Sequence, residues 1–459
     1  MSVNHYSSIR DLGAALRSRA VSSKELARMY LGRLASLGKE HNAVAELTEG
    51  LAMKQAEAAD KRLADGRSLG PLDGIPFGVK DLLATKGIPT RWGSPGHFDQ
   101  VFPEDATAVA RLQDAGGVLV AKLAMIELAG GGNYNVAAAS ATGPCLSAFD
   151  KTRWAGGSSS GSGAATALGC VGYSLGSETS GSITCPSAFN GLTGFRGTYG
   201  RVSRYGAMAL CWTLDKIGPM GRSAEDVATV LQTIAGPDPK DSSTLTEPLR
   251  LRPRGGKPKI GLLKEEWEKN KATDCKKAYD ETLKVLHKMG YETVDVAYPD
   301  LPYGTAIGII VDAEGSSAHE NFIRGDRFQM LADVNQVAGF AAALETRAVD
   351  YLWAMRFRQQ EGIRANEVWA KCDAIFTPVF YHGAPSASEP LDKGFELMGG
   401  DDGPSNLHGW PALAFPIGFE GAWPLGGQIL APVMREDSCY RIVRDYQRET
   451  DWHMKRPAP

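Results

Sequence analysis

Apolar and polar positions alternate along this chain in two different periods. The N-terminal part carries the helical period. Ser22 and Glu25 have the spacing of a capping box ahead of Leu26, Tyr30, Leu31 and Leu34, and a second helix is predicted from Leu51 to Leu63, stopping near Gly66. Short apolar strands and helices then take turns: a strand over Ile75–Val79, a helix over Ala106–Ala115 and a strand over Gly117–Ala121. The run Ala164–Leu175 is almost wholly apolar and reads as the end of a helix, Gly161–Leu168, followed by a buried strand, Cys170–Leu175. Further along, strands are predicted at Lys259–Leu263, Glu292–Ala297, Asp373–Val379 and Gly426–Val433. Helices are predicted up to Met289, through most of 303–372 and over Asp437–Arg448, with a loose tail from Trp452. Strands alternating with helices predict a layered α/β fold.

Composition narrows the picture. The apolar fraction of 43% and charged fraction of 22% over 459 residues are globular values. A formal net charge of −3 offers no basis for binding nucleic acid or an anionic membrane, and no apolar run reaches membrane-spanning length. The seven cysteines form no C-x-x-C pair, and the eight histidines lack ligand spacing. The expectation is therefore reduced thiols, no metal, no cofactor and a cytoplasmic protein.

The chemistry gathers around two Gly/Ser clusters that flank the apolar run: Gly156-Gly157-Ser158-Ser159-Ser160-Gly161-Ser162-Gly163 and Gly176-Ser177-Glu178-Thr179-Ser180-Gly181-Ser182-Ile183-Thr184. Flexible linkers carry no such apolar run between their small residues. Each cluster sits at an element end, where backbone N–H groups are unpaired and can converge on one spot. Ser182, behind a turn of small residues, is a candidate nucleophile, with the N–H groups of Thr179, Ser180, Gly181 and Ser182 as its oxyanion hole. The segment lacks the glycine spacing of a G-x-S-x-G elbow and has no histidine near it in sequence. The candidate base is Lys80, at the end of the apolar strand in Gly74-Ile75-Pro76-Phe77-Gly78-Val79-Lys80-Asp81, where burial favours the neutral amine.

These three segments, in this order, resemble the amidase signature family. The resemblance extends through Phe195–Ser203 and Leu214–Met220 and returns at Asn406–Pro416. It implies a Ser–Ser–Lys triad of Lys80 as base, Ser158 as bridging serine behind a cis peptide bond, and Ser182 as nucleophile. It also implies a single large domain: a twisted mixed β-sheet flanked by helices on both faces. Within that domain residues 1–70 are N-terminal helices, 71–235 the catalytic core, and the C-terminal half completes the sheet and carries a lid-like loop at 380–405. The family usually has Asp at Glu178, Gly at Ser180 and Arg at Thr184. Thr184 cannot pair with Glu178 as a cation would, so the bracing of the nucleophile turn is the point of departure.

Substrate contacts are drawn more loosely. The small residues from Gly130 to Ala141 suggest a roomy pocket wall, with Met125, Gly131, Gly132 and Ala141 lining it. Arg358 lies roughly where glutamine-using relatives hold a carboxylate, and His408 and Trp410 replace smaller residues. The main expectation is an amidohydrolase for amides, anilides and carbamates (a urethanase), acting as a monomer or homodimer without further partners. The alternatives are the glutaminase subunit of a tRNA-dependent amidotransferase and a catalytically silent scaffold. Glutaminase activity that depends on partner subunits would mark the first alternative, and absence of fluorophosphonate labelling the second.

Overall fold

The computed structural model describes residues 3–263, 273–392 and 403–458. Eleven strands form one sheet: β1 (Val44–Leu47), β2 (Pro76–Lys80), β3 (Val118–Leu123), β4 (Tyr173–Glu178), β5 (Thr193–Arg196), β6 (Lys216–Gly221), β7 (Ile260–Leu262), β8 (Thr293–Asp295), β9 (Ala374–Pro378), β10 (Ala412–Glu420) and β11 (Trp423–Leu430). Their order across the sheet is β1-β3-β2-β4-β6-β5-β10-β11-β9-β7-β8. β2 runs parallel to β3 and β4, and β7 runs parallel to β8 and β9. The strands between these two blocks pair antiparallel. The sheet is mixed, as expected.

Both faces of the sheet are covered. Successive strand side chains point to opposite faces. Phe77, Val79, Tyr173, Leu175 and Ile217 enter one apolar cluster with Val109, Leu112, Val230, Leu231, Ile310 and Ile442 from helices. Val120, Leu123 and Met220 enter another with Leu31, Ala52, Ala56, Ala164 and Ala165. Strands buried on both sides need continuous apolar runs, which is why β2 and β3 are legible in the sequence. The capping box at Ser22 and Glu25 is present and starts the helix Ser23–Arg33. The predicted second helix spans Glu49–Ala64. All seven cysteines are buried and unpaired.

Three sequence expectations shift. The strand placed over Cys170–Leu175 runs instead from Tyr173 to Glu178. The helix Ser160–Ala167 ends at Gly169 with φ +65°, and Cys170 N–H bonds back to Ala165, so the chain turns before it can extend. The strand continues into the polar Ser177 and Glu178 because β6 pairs with it through Glu178↔Lys216. The tail is not loose at its start: Trp452–Met454 forms a 3₁₀ turn, and Arg456 donates to the His453 carbonyl at 2.7 Å.

The third shift concerns the glycines at 130–132, which permit close packing rather than opening space. A Cβ at Gly131 would lie 2.3 Å from Phe340 Cζ, and one at Gly132 would lie 2.5 Å from the Gln336 carbonyl oxygen. The helix Val334–Ala343 presses directly on this loop. Gln336 Nε2 ties the two together, donating to the carbonyls of Glu127 (3.1 Å) and Gly131 (2.8 Å). Glu127 accepts the Ala332 N–H just ahead of the helix, at 3.0 Å to each carboxylate oxygen.

Gly339 offers a clean test, because a Cβ there would fall 2.0 Å from the Gly132 carbonyl oxygen. In an unencumbered helix Gly→Ala would stabilise by about 1 kcal/mol. Here Gly339→Ala is expected to destabilise by about 1–3 kcal/mol, the usual range for overpacking, seen as a lower midpoint in thermal or urea unfolding. A stabilised variant would show that helix and loop do not meet.

Candidate active site

Three elements bring three polar side chains together. Lys80 is the last residue of β2. Ser158 lies in the loop leading into the helix Ser160–Ala167. Ser182 sits in the turn between β4 and the short helix Thr184–Phe189. Lys80 Nζ donates to Ser158 Oγ at 2.8 Å, and Ser158 Oγ donates to Ser182 Oγ at 3.0 Å. The Gly157–Ser158 peptide is cis. The chain Lys80–Ser158–Ser182 is therefore continuous and buried. It has a fourth member that the sequence reading misses: Ser177 Oγ accepts a second hydrogen bond from Lys80 Nζ at 3.0 Å. Alternation along a strand that runs to Glu178 could have found it.

Burial governs the charge on Lys80. The side chain is wholly enclosed, and desolvation brings its pKa down to about 7, with Asp215 and Glu178 pulling the other way. Near neutrality the amine is thus available as a base.

The turn that holds Ser182 is braced by Glu178. Its Oε2 accepts the N–H groups of Ile183 (2.8 Å) and Thr184 (3.0 Å). The cation missing at Thr184 is supplied elsewhere: Arg196, at the end of β5, pairs with Glu178 Oε1. Thr184 contributes its hydroxyl to the same carboxylate at 3.3 Å. Burial by itself would raise the pKa of Glu178. Arg196, Lys216 and the N–H donors outweigh that and hold it at about 2. The sequence gives no sign of Arg196 in this role, because it lies in a different strand and no local pattern links it to Glu178. It also donates to Asn406 Oδ1 and Ser405 Oγ, each at 2.7 Å, and to the Trp410 carbonyl at 3.0 Å.

The proposed oxyanion donors are open. The N–H groups of Ser180, Gly181 and Ser182 bond to no other described residue, and Gly181 adopts φ +81°. Thr179 is anchored through its hydroxyl, which donates to Asp215 Oδ1 at 2.6 Å. Asp215 in turn accepts the N–H groups of Leu210 and Cys211, each at 2.9 Å.

The looser substrate candidates fare differently. Met125 is a core residue. Gly131 and Gly132 are filled by Phe340 and Gln336, as described above. Ala141 is exposed and gives its N–H to the Gly93 carbonyl. Together these correct the picture of a roomy wall at 130–142. Trp410 is fully buried against Trp369, with ring centroids 4.7 Å apart, and is a core residue rather than a pocket border. His408 is half-buried and packs over Gly362, and burial lowers its pKa to about 4 with Arg358 adding to the effect. Arg358 is half-buried. One of its Nη2 protons goes to the Thr213 carbonyl at 2.9 Å, and its remaining N–H groups take no acceptor among the described residues.

The expected lid spans 380–405, of which 393–402 lie outside the described residues. The part before them is pinned: Ala387 N–H bonds Thr152 O, and Leu391 N–H bonds Asn135 O. A cavity of about 230 Å³ opens onto Ser177 and Thr179 and is walled by Leu82, Met208, Leu210 and Trp212. A larger cavity, about 1020 Å³, is lined by residues near both chain ends and shares no residue with this cluster, so size alone does not locate the chemistry. Among the described residues no cluster of His, Cys, Asp and Glu fits a metal, and no helix is long and apolar enough to cross a membrane.

The Amidase family model matches residues 25–440. A glutamyl-tRNA(Gln) amidotransferase subunit from Azoarcus sp. (strain BH72) is 36% identical, covering 98% of this chain and 99% of that protein. A solved structure from a vestigial protein complex, described as revealing the evolutionary origins of an s-triazine catabolic enzyme, superposes with a TM-score of 0.88 at 29% identity, covering 96% of this chain and 98% of the other. A peptide amidase in complex with the competitive inhibitor chymostatin superposes with a TM-score of 0.86 at 28% identity, covering 99% of each.

The buried pair at Glu178 carries a stability prediction. Arg196→Met removes the ion-pair partner of a buried carboxylate, a loss that costs up to about 3–5 kcal/mol, less whatever Lys216 and the turn N–H groups still supply. The expected result is a lower unfolding midpoint together with lost turnover. The carboxylate's folded pKa of about 2 lies below its ordinary 4.5. Its contribution is therefore complete above about 4.5 and disappears as pH falls towards 2. Denaturant midpoints measured across that window should decline in the native chain and decline less in Glu178→Gln. Parallel curves would place the acid sensitivity elsewhere.

Proposed function

Because the chain belongs to the amidase signature family, we propose that it hydrolyses the C–N bond of an amide through an acyl-enzyme on Ser182. The observation that carries this reading is the unbroken chain from Lys80 Nζ through Ser158 Oγ to Ser182 Oγ. A hydroxyl both donates and accepts, so the two bonds can reverse. Neutral Lys80 takes the proton of Ser158 as Ser158 takes that of Ser182, and Ser182 Oγ attacks the carbonyl carbon. The N–H groups from Thr179 to Ser182 hold the oxyanion. The proton returns through Ser158 to the departing nitrogen, and water repeats the sequence on the acyl-enzyme.

For the acyl group, glutamine is the reading with the most support, within an assembly that passes the released ammonia to glutamyl-tRNA. Relatives named as glutamyl-tRNA(Gln) amidotransferase subunits match the chain nearly end to end. Arg358, half-buried with guanidinium N–H groups to spare and tied to the Thr213 carbonyl two residues from Asp215, has the chemistry of a carboxylate anchor. The departure at Thr184 leaves the turn braced, because Arg196 supplies Glu178 with the cation. A second reading, a stand-alone hydrolase of larger amides or aryl carbamates, is supported by the likeness to a peptide amidase and by the apolar stretch of Leu82, Met208, Leu210 and Trp212 in the partly charged lining of the 230 Å³ cavity.

Ser182→Ala should abolish turnover and fluorophosphonate labelling, and Ser158→Ala and Lys80→Ala should each lose at least ~10²-fold in kcat. Labelling absent from the native chain would instead indicate a silent scaffold. Rates for glutamine with and without partner subunits, an anilide, an aryl carbamate and an ester separate the substrate readings. Partner-dependent glutamine release supports the first, and partner-independent cleavage of the anilide or carbamate supports the second. Arg358→Ala should raise KM for glutamine far more than for the anilide.

The pH dependence follows from Lys80, whose pKa is lowered to about 7 and which must be neutral to act. Activity should rise through about pH 7 and level off above it. A rate independent of pH from 5 to 9 would rule out lysine as the base.

A further inference from the structure

Behind the nucleophile turn lies a second buried lysine that the proton relay does not use. Lys216 opens β6 and stands opposite Glu178 in the antiparallel register with β4. Its side chain is buried, and Nζ donates to the carbonyls of Thr179 (3.3 Å) and Leu214. The residue before it, Asp215, grips the Thr179 hydroxyl at 2.6 Å. Thr179 is thus held at both its side chain and its carbonyl by two consecutive residues of one strand edge.

That carbonyl belongs to the peptide unit whose N–H is that of Ser180. The unit is trans and planar, so its C=O and N–H point in opposite directions. Holding the oxygen against Lys216 turns the Ser180 N–H away from Lys216, and it, like the N–H groups of Gly181 and Ser182, finds no acceptor among the described residues. We propose that Lys216 is a positioning residue: by anchoring the Thr179 carbonyl it aims the Ser180 N–H at the oxyanion formed on Ser182. Pinning at this point matters because this peptide unit turns about Thr179 ψ and Ser180 φ, and the N–H of Ser180 has no partner among the described residues to hold it. Burial and the nearby Arg196 lower the pKa of Lys216, and Glu178 and Asp215 recover only part of that; charged or neutral, the amine keeps N–H donors for the Thr179 carbonyl.

The inference rests on Ser182 being the nucleophile, and the experiment keeps the two apart. Lys216→Met and Ser182→Ala are assayed with an amide and an aryl ester of the same acyl group. The expected loss for Lys216→Met is about 10- to 100-fold in kcat, less than the ~10²–10³ of deleting an oxyanion donor outright, with KM changed less than twofold. Amide and ester should fall by the same factor, since both pass through the same oxyanion. With an aryl ester, whose leaving group departs without a proton, a defect confined to proton return to the leaving nitrogen would harm the amide and spare the ester. A folded Lys216→Met with native kcat, a loss confined to KM, or a spared ester would each overturn the assignment. Should Lys216→Met not fold, Lys216→Gln, polar but one atom shorter, is read by the same criteria. Turnover surviving in Ser182→Ala would overturn the acyl-enzyme reading itself, whatever Lys216 does.

Discussion

The buried ion pair between Glu178 and Arg196 is the constraint on which the site depends. Neither side chain is exposed to water, so each charge must be matched inside the protein. Glu178 spends one oxygen on the N–H groups of the nucleophile turn and the other on Arg196. Arg196 spends its remaining donors on Ser405, Asn406 and the Trp410 carbonyl. One pair thereby joins the end of β4, the end of β5 and the segment entering β10. The turn carrying Ser182 is held by contacts from both halves of the sheet, and it cannot shift without exposing an unpaired charge to a medium that solvates it poorly.

The same low-dielectric interior makes Lys80 useful. A lysine in water is an ammonium at neutral pH and cannot accept a proton. Enclosed at the end of β2, Lys80 is brought down to about 7 by desolvation, and its hydrogen bonds go to hydroxyls. Lys216, buried a short way off, is flanked by Glu178 and Asp215 and bonds to backbone carbonyls. Two buried lysines therefore take different tasks because their partners differ: hydroxyls that relay a proton in one case, carbonyls that need only a donor in the other.

Small residues play two roles that composition cannot separate. At Gly181 the absent side chain frees the backbone to present its N–H groups. At Gly131, Gly132 and Gly339 it allows a helix to lie directly on a loop. Both give the same local sequence texture. Only the position of the helix Val334–Ala343, far away in the chain, decides that the second group is packing rather than open space.

Local patterns were enough for much of this protein. Apolar runs at β2 and β3, the capping box at Ser22 and the alternation of strands and helices determined the α/β class, because those signals depend on neighbours in the chain. The Gly/Ser turn and the strand ending in Lys80 marked Ser182 and Lys80, because this chemistry requires those residue types at element ends; Ser158 was marked by the resemblance to the amidase signature family. Tertiary structure alone decided the rest. Arg196, Asp215 and Lys216 reach the nucleophile turn across neighbouring strands, and strand pairing leaves no trace in local sequence. Trp410 became core because Trp369 and Tyr298 close over it. Ala141, small enough to suggest a pocket, is exposed, with its backbone N–H bonded to the Gly93 carbonyl. Residue type fixes what a side chain can do chemically; where it does it is set by which distant segment the sheet brings alongside.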